Sequence, residues 1–413
     1  MKIGYLLDRF PSITLTFVLN EITGLIDAGR SIELISLRRP NNDEIVHDQY
    51  IKYGLDKRIF YLSSGKYEKA SLFTIFIKAL KKLFISRISN FRERVKLLFI
   101  CYNRILGLKV SLKNFLWSLE TAEIIKEQDI HHIHLHFASP LVELAYVLHR
   151  FLGISYTFTT HANDIFVNPS SFLRKWAESS KRVITVSEFN KKYMNATFNI
   201  PLEKIDIVNY CIYVDRIEPI KKYTNDSFKI VSISRLVEKK GYHYLLEACK
   251  ILKDSNVEFS CEILGEGPQR SVLQSIVAKH DLQAEVTLGG FVKHEDVFGF
   301  IGSGSIFVLP CVCAVDNDMD GIPNVLMEAM ALEVPTLSTD ITGIPELIDD
   351  GIDGIIVPQN DSKSLAEAIL KIKNDTKFAE KIRKNGREKI QKKFNVEKNV
   401  KLLYEVFTKC NVF

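Results

Sequence analysis

What most constrains this chain is a rhythm of short apolar runs and amphipathic segments that begins, lapses, resumes and then begins again. Residues 2–7 and 31–37 read as buried strands. Between them, Thr16 to Ala28 carries apolar residues at helical spacing and stops at Gly29. The alternation resumes at Ile130 with a strand at 133–137, a helix at 140–152 and a strand at 156–159, then strands at 182–187 and 205–209. A polar stretch containing Pro219, residues 215–227, reads as a linker, and residues 230–234 start the pattern anew. Apolar strands alternating with helices specify parallel sheets covered on both faces. The expectation is an α/β protein of two similar units, 1–214 and 215–395, with 396–409 as a final amphipathic helix.

The second unit holds the most informative stretch, DNDMDGIPNVLMEAMALEVPTLSTDITGIPE, residues 316–346. An apolar run closes at Val308-Leu309-Pro310, an acidic loop follows, and Gly321, Ile322 and Pro323 lead into a helix. Proline suits the first helical turn, where its missing N–H has no partner to lose. The N–H groups of Asn324 and Val325 then point out of the helix start, toward a place that suits an anion. Asp320 stands just before this turn and Glu328 about two turns inside the helix. Near the restart, Arg235 and Lys240 lie five residues apart in a strand–helix loop and can grip one diphosphate. A nucleoside-diphosphate sugar has the matching parts, phosphates for the cations and helix end and hydroxyls for the carboxylates.

Competing motifs are weaker. Asp316, Asp318, Asp320 and Gly321 open like a calcium loop, but its closing position is Met327. Asp318-x-Asp320 alone is a two-residue match to a metal-binding DxD. Gly265-Glu266-Gly267 begins like a dinucleotide fingerprint, and Arg270 stands where the third glycine belongs. Alternation places His132, His134 and His136 on one face of a strand, which could approximate a metal-ligand set. His161 differs from these, because it follows the carboxyl end of a strand, where ligands collect in parallel sheets.

The stretch resembles the acid-x7-acid signature of retaining glycosyltransferases of family 4, which have the GT-B fold. Asp320 and Glu328 have that spacing, and Ala329-Met330-Ala331, Pro335 and Gly343-Ile344-Pro345-Glu346 follow in order. Asp320 is a departure, one methylene shorter than the usual glutamate. Arg9 to Glu21 resembles the FP-x-x-SETF-x-x-x-E opening of exopolysaccharide-type members, with Leu15 where glutamate is usual. TTHANDI around His161 resembles their H-[GA]-x-D motif, and RLVEKKG their R-x4-K-G segment. The resemblance implies two Rossmann-like domains facing a cleft and transfer of a hexose from a UDP- or GDP-linked donor to a hydroxyl of a glycan or lipid-linked acceptor, with retention and without metal or cofactor. It implies that Arg235 and Lys240 hold the diphosphate, Glu328 the ribose and Asp320 the sugar hydroxyls. Gly321, Ile322, Pro323, Asn324 and Val325 then present backbone to the donor, the segment around Val292 holds the base, and His161 approaches the sugar from the first domain. Two other readings on the same fold are a non-catalytic partner subunit and a nucleotide-sugar epimerase.

Residues 66–113 break the rhythm. Twelve basic residues stand there against Glu68 and Glu93, with Phe, Leu and Ile at helical intervals. Such a helical insertion suits an anionic membrane surface, or it packs its apolar face on the domain and leaves its cations in water. No nucleic-acid motif accompanies the charge. The seven cysteines are scattered, the N-terminus reads as a strand rather than a signal peptide, and no apolar run reaches membrane-spanning length. The expectation is a cytoplasmic protein, peripheral on the inner membrane face where the basic segment meets lipid.

Overall fold

The structure is a computed structural model of the chain, and it describes residues 1–12, 15–40, 48–62, 70–85, 90–102, 108–219 and 228–409. Ile13 and Thr14 of the first loop, Lys66, Lys69, Arg87 and Arg104 of the basic segment, and 220–227 of the linker lie outside the described residues.

Two parallel sheets are present. The first contains β1 (Lys2–Arg9), β2 (Ser31–Arg38), β3 (Ile59–Tyr61), β4 (His132–His136), β5 (Ser155–Thr159), β6 (Arg182–Thr185) and β7 (Ile205–Ile207), in the order β3-β2-β1-β4-β5-β6-β7. The second contains β8 (Lys229–Ile233), β9 (Ser260–Leu264), β10 (Val286–Leu288), β11 (Ile306–Val308), β12 (Thr336–Thr339) and β13 (Ile355–Val357), in the order β10-β9-β8-β11-β12-β13. In both orders the chain reverses direction across one central pair, β1/β4 and β8/β11. Helices leave to opposite faces there and open a crevice beyond the carboxyl ends of the strands. The first crevice collects residues after Arg9 and His136, and the second collects the loops after Ile233 and Val308.

The segment before β4 forms three helices, Leu72–Ile85, Phe91–Tyr102 and Leu108–Glu127. The last runs well past residue 113, so the basic segment ends inside a helix that joins the domain core through Phe115, Leu116 and Leu119. The first buries Ile75, Ala79 and Leu83 but leaves Phe73 73% exposed and Phe84 65% exposed. Its exposed side is therefore apolar as well as basic.

The chain crosses between domains twice, and the crossings are hydrogen-bonded side by side. Ile212 N–H donates to Phe394 O at 3.0 Å, and Val396 N–H donates to Ile212 O at 3.2 Å. The final helix, Val396–Lys409, then packs on helix Thr16–Asp27 of the first domain. Gly24 makes that approach possible, since a Cβ there would stand 2.4 Å from Val396 Cγ1.

Candidate active site

The second crevice is built by a tight turn, Glu238–Lys240, ending at Gly241. Gly241 has φ +65°, and a Cβ on it would fall 1.9 Å from Pro310 O. Glycine therefore lets the loop after β8 lie directly on the loop after β11. That contact carries two lysines into the acidic loop. Lys240 Nζ stands 2.6 Å from Asp320 Oδ2, and Lys239 Nζ stands 3.3 Å from Asp320 Oδ1 and 2.8 Å from Asp318 Oδ1. All of this is largely out of water. Burial pushes the Asp320 carboxyl up, but the charges of Lys240 and Lys239 outweigh it and hold Asp320 below the usual carboxylate range. Lys240 responds in the opposite sense: burial lowers it, and Asp320 more than restores it.

The loop is fixed behind Asp320 by Thr342, whose hydroxyl donates to Asp320 O and, at 2.9 Å, to Gly321 O. Pro323 is the residue preceding the helix, with ψ 124°, rather than part of its first turn; the helix is Asn324–Ala331. Its extended ψ ends the loop, and Asn324 and Val325 take the first helical positions. Asn324 Oδ1 is buried without a hydrogen-bond partner, beside this helix start. Ile322 is in the core.

Glu328 lines a small cavity of 130 Å³ with Thr16, Asn20, Tyr213, Arg216 and Phe298. Burial raises its carboxyl to about 7. Arg235 is exposed, and its guanidinium makes no hydrogen bond or ion pair among the described residues, while its carbonyl accepts from Val237 N–H at 2.9 Å and Ser234 Oγ at 3.2 Å. Val292 is partly buried in the loop after β10. The Gly265–Gly267 turn buttresses the Arg235 loop: Leu236 N–H donates to Glu266 O at 2.9 Å. Arg270, at the position of the missing glycine, donates to Gly289 O at 2.7 Å and Leu288 O at 3.1 Å.

The first domain meets this loop closely. A Cβ on Gly321 would lie 3.7 Å from Val186 Cγ2 and 3.9 Å from Asn190 Nδ2. Asn190 is fully buried, and neither its side-chain nitrogen nor its side-chain oxygen has a hydrogen-bond partner among the described residues. Glu346 reaches across and caps helix Glu188–Phe198, accepting from Glu188 N–H at 2.8 Å and Phe189 N–H at 2.9 Å. A carboxylate at a helix N-terminus is favoured by both the free N–H groups and the dipole.

His161 lies behind these contacts. Asp164 accepts from His161 N–H at 2.8 Å and from Ala138 N–H at 2.5 Å, which fixes the turn; burial nevertheless raises Asp164 to about 7. His161 Nδ1 is 2.6 Å from Tyr210 Oη and its Nε2 is 3.1 Å from His136 Nδ1. His136 Nε2 in turn is 3.1 Å from Glu21 Oε1. His132 does not join this group, because its nitrogens bond Ser155 and Thr157. The ligand atoms of Glu21, His134 and His136 lie within 4.8 Å of one another, a set able to close on a cation, though hydrogen bonds already satisfy each of them. Sequence reasoning missed Lys239, at an unspecified position of the R-x4-K-G segment, and Asn190 and Tyr210, which sit in no motif. The run of two lysines before Gly241 was the one available signal.

A larger cavity, 950 Å³, fills the first crevice and is mainly apolar, with Trp117, Phe137, Leu141, Phe172 and Trp176 in its wall. Asp8, Arg9, Ser139 and Asn168 add polar groups.

Two Rossmann-like domains facing each other, each with its crevice turned toward the other, define the GT-B class. Residues 88–216 match the model of Glycosyltransferase Family 4, and residues 214–389 that of Glycosyl transferases group 1. The chain belongs to the glycosyltransferases that join these two domains. It is 28% identical over 411 residues to a putative colanic acid biosynthesis glycosyltransferase, WcaL, of Escherichia coli K12, covering 96% of each chain. It is 28% identical to the amylovoran biosynthesis glycosyltransferase AmsK of Erwinia amylovora, again over 96% of each. In fold it is similar to Anabaena HepE, solved in complex with UDP-glucose, with a TM-score of 0.69 at 14% identity over 99% of this chain and 100% of that one.

Proposed function

We propose that this protein transfers a hexosyl unit from a nucleotide sugar to a hydroxyl of a glycan or lipid-linked acceptor during assembly of a bacterial surface polysaccharide, with retention of anomeric configuration. The observation that carries this reading is the buried Lys239–Lys240–Asp320 cluster at the second crevice, facing the first domain across Gly321. Departure of a nucleoside diphosphate builds negative charge, and preorganised ammonium groups in a dry site stabilise it. Lys240 and Arg235 take the diphosphate, with the helix start at Asn324 and Val325 behind them. Asp320 takes sugar hydroxyls, and the loop at Val292 borders the base. The apolar cavity at the first crevice suits an acceptor with a large hydrophobic part. Relatives named for colanic acid and amylovoran biosynthesis support the polysaccharide setting.

Glu328 supplies the test. A carboxyl near 7 must ionise to accept two ribose hydroxyls. Donor affinity should therefore rise about tenfold between pH 6 and pH 8, because the folded free enzyme holds a proton there that the complex releases. Calorimetry across a panel of UDP- and GDP-sugars at both pH values, with product analysis for transfer, measures this. Glu328→Gln should flatten the pH dependence. A panel with neither binding nor transfer sinks the proposal.

The helix Leu72–Ile85 carries Lys78, Lys81 and Lys82 beside exposed Phe73, Phe76, Ile77 and Phe84, a combination that fits an anionic bilayer. No helix among the described residues is long and apolar enough to cross a membrane. Attachment at the inner face of the membrane should appear as liposome co-sedimentation that grows with anionic lipid and falls with salt. Phe73→Ser/Phe84→Ser should lower it at least severalfold; equal binding of both proteins removes the helix from this role.

A further inference from the structure

Both ring nitrogens of His161 are occupied inside the protein, by Tyr210 and by His136. The imidazole has neither an N–H nor a lone pair left to offer a sugar. What stands between it and the Asp320 loop is the phenol of Tyr210, which stacks on His161 with rings 6° from parallel and 5.6 Å apart and also contacts the core of the second domain. Asp320 is near enough to add to the burial that holds the phenol protonated.

The chain Glu21–His136–His161–Tyr210 admits one order of protons when Glu21 is ionised and both imidazoles are neutral. A carboxylate only accepts, so His136 carries its proton on Nε2. His136 Nδ1 is then bare and accepts from His161 Nε2–H. His161 Nδ1 is bare in turn and accepts from the Tyr210 hydroxyl. Tyr5 donates to the same Glu21 oxygen at 2.6 Å, which reinforces Glu21 as the accepting end. A phenol whose proton is committed to His161 presents only lone pairs on its other side. Its natural partner is a group that donates, and on a sugar that group is a hydroxyl.

We propose that Tyr210 is the cleft-facing end of this chain and accepts a hydrogen bond from a hydroxyl of the donor sugar or of the acceptor sugar, with His161, His136 and Glu21 as positioning residues that fix the direction of its proton. This rests on the glycosyltransferase reading above. It also changes the expectation for His161: the histidine acts through the tyrosine.

Two measurements on the full chain test it. With 15N-labelled histidine, long-range 1H–15N spectra should show His161 neutral, protonated on Nε2 and bare on Nδ1; a proton on Nδ1 overturns the proposal. Tyr210→Phe keeps the ring stack and removes only the oxygen. With whichever of UDP-glucose, UDP-galactose or GDP-mannose the wild type turns over, this variant should lose about tenfold in kcat/KM, with the Kd of the free nucleoside diphosphate unchanged and the melting temperature lowered, because buried His161 Nδ1 loses its partner. A loss that also appears in slow donor hydrolysis places the hydroxyl on the donor; a loss confined to transfer places it on the acceptor. Wild-type rates for Tyr210→Phe on an active donor overturn the inference alone, whereas a wild type inactive on every donor counts against the glycosyltransferase reading itself.

Discussion

Lys240→Ala should lower turnover by on the order of 10²-fold, and the damage should extend to the carboxylate beside it. Lys240 lies 2.6 Å from Asp320 in a site largely closed to water. On the proposed function its removal takes away charge that would stabilise the leaving diphosphate, and it leaves Asp320 with Lys239 alone at 3.3 Å. Breaking one partner of a buried ion pair costs roughly 3 kcal/mol, reduced here because Lys239 remains. The sign with pH follows from Asp320. Its folded-state carboxyl is held below the unfolded value, so its contribution to stability is present at neutral pH and is lost as pH falls through the folded value. Urea unfolding should accordingly separate wild type from variant at pH 7 and bring them together in acid. Adding Asp320→Ala to the variant should recover stability without recovering turnover. Turnover close to normal in Lys240→Ala would move the diphosphate site elsewhere.

Asp320→Asn keeps the shape and removes the charge, and its two effects should run in opposite directions. Transfer should fall by more than about tenfold, because the sugar hydroxyls lose an ionised acceptor as positive charge builds at the anomeric carbon. Affinity for the free nucleoside diphosphate should hold or tighten, since Asp320 competes with the phosphates for Lys240 and Lys239 in the empty site. Calorimetry with UDP and GDP beside a transfer assay reads both. Unchanged transfer removes Asp320 from the chemistry, and sharply weakened diphosphate binding would mean that it acts only as a clamp on the lysines.

The α/β architecture was legible because strands buried on both faces must be apolar throughout, and because amphipathic helices between them repeat at 3.6 residues. The final helix could be read to the residue, 396–409, since its apolar stripe is narrow and regular. Pro323 was misplaced by one position because proline tolerates both the first turn and the residue before it, and only ψ distinguishes the two. Of the two adjacent lysines, only Lys240 was given a role from the sequence. The left-handed Gly241 turns the segment so that both point inward. The Glu21–Tyr210 chain was invisible for a different reason: its ends lie on the first helix and on the crossing strand, and their contact depends on packing rather than on spacing. Helix Leu72–Ile85 has apolar residues around most of its circumference, so periodicity could not say which of them would be buried.

The paired crossings at Ile212 and Asn395 limit how the two halves can separate. Two chain segments joined by this bridge form a hinge: a swing of the domains about it would keep the Phe394 and Val396 hydrogen bonds, whereas sliding one past the other would tear them. Points on a rotation axis do not travel. Ile212 and Tyr213 both belong to this hinge and to the wall of the cavity that Glu328 lines. On the proposed function, the nucleoside end of the donor would find the same walls whether the cleft stands open or shut, while opening would break the Glu346 cap on helix Glu188–Phe198. Donor capture and cleft closure would then be separable steps, with the nucleoside seated first and the sugar end completed afterwards.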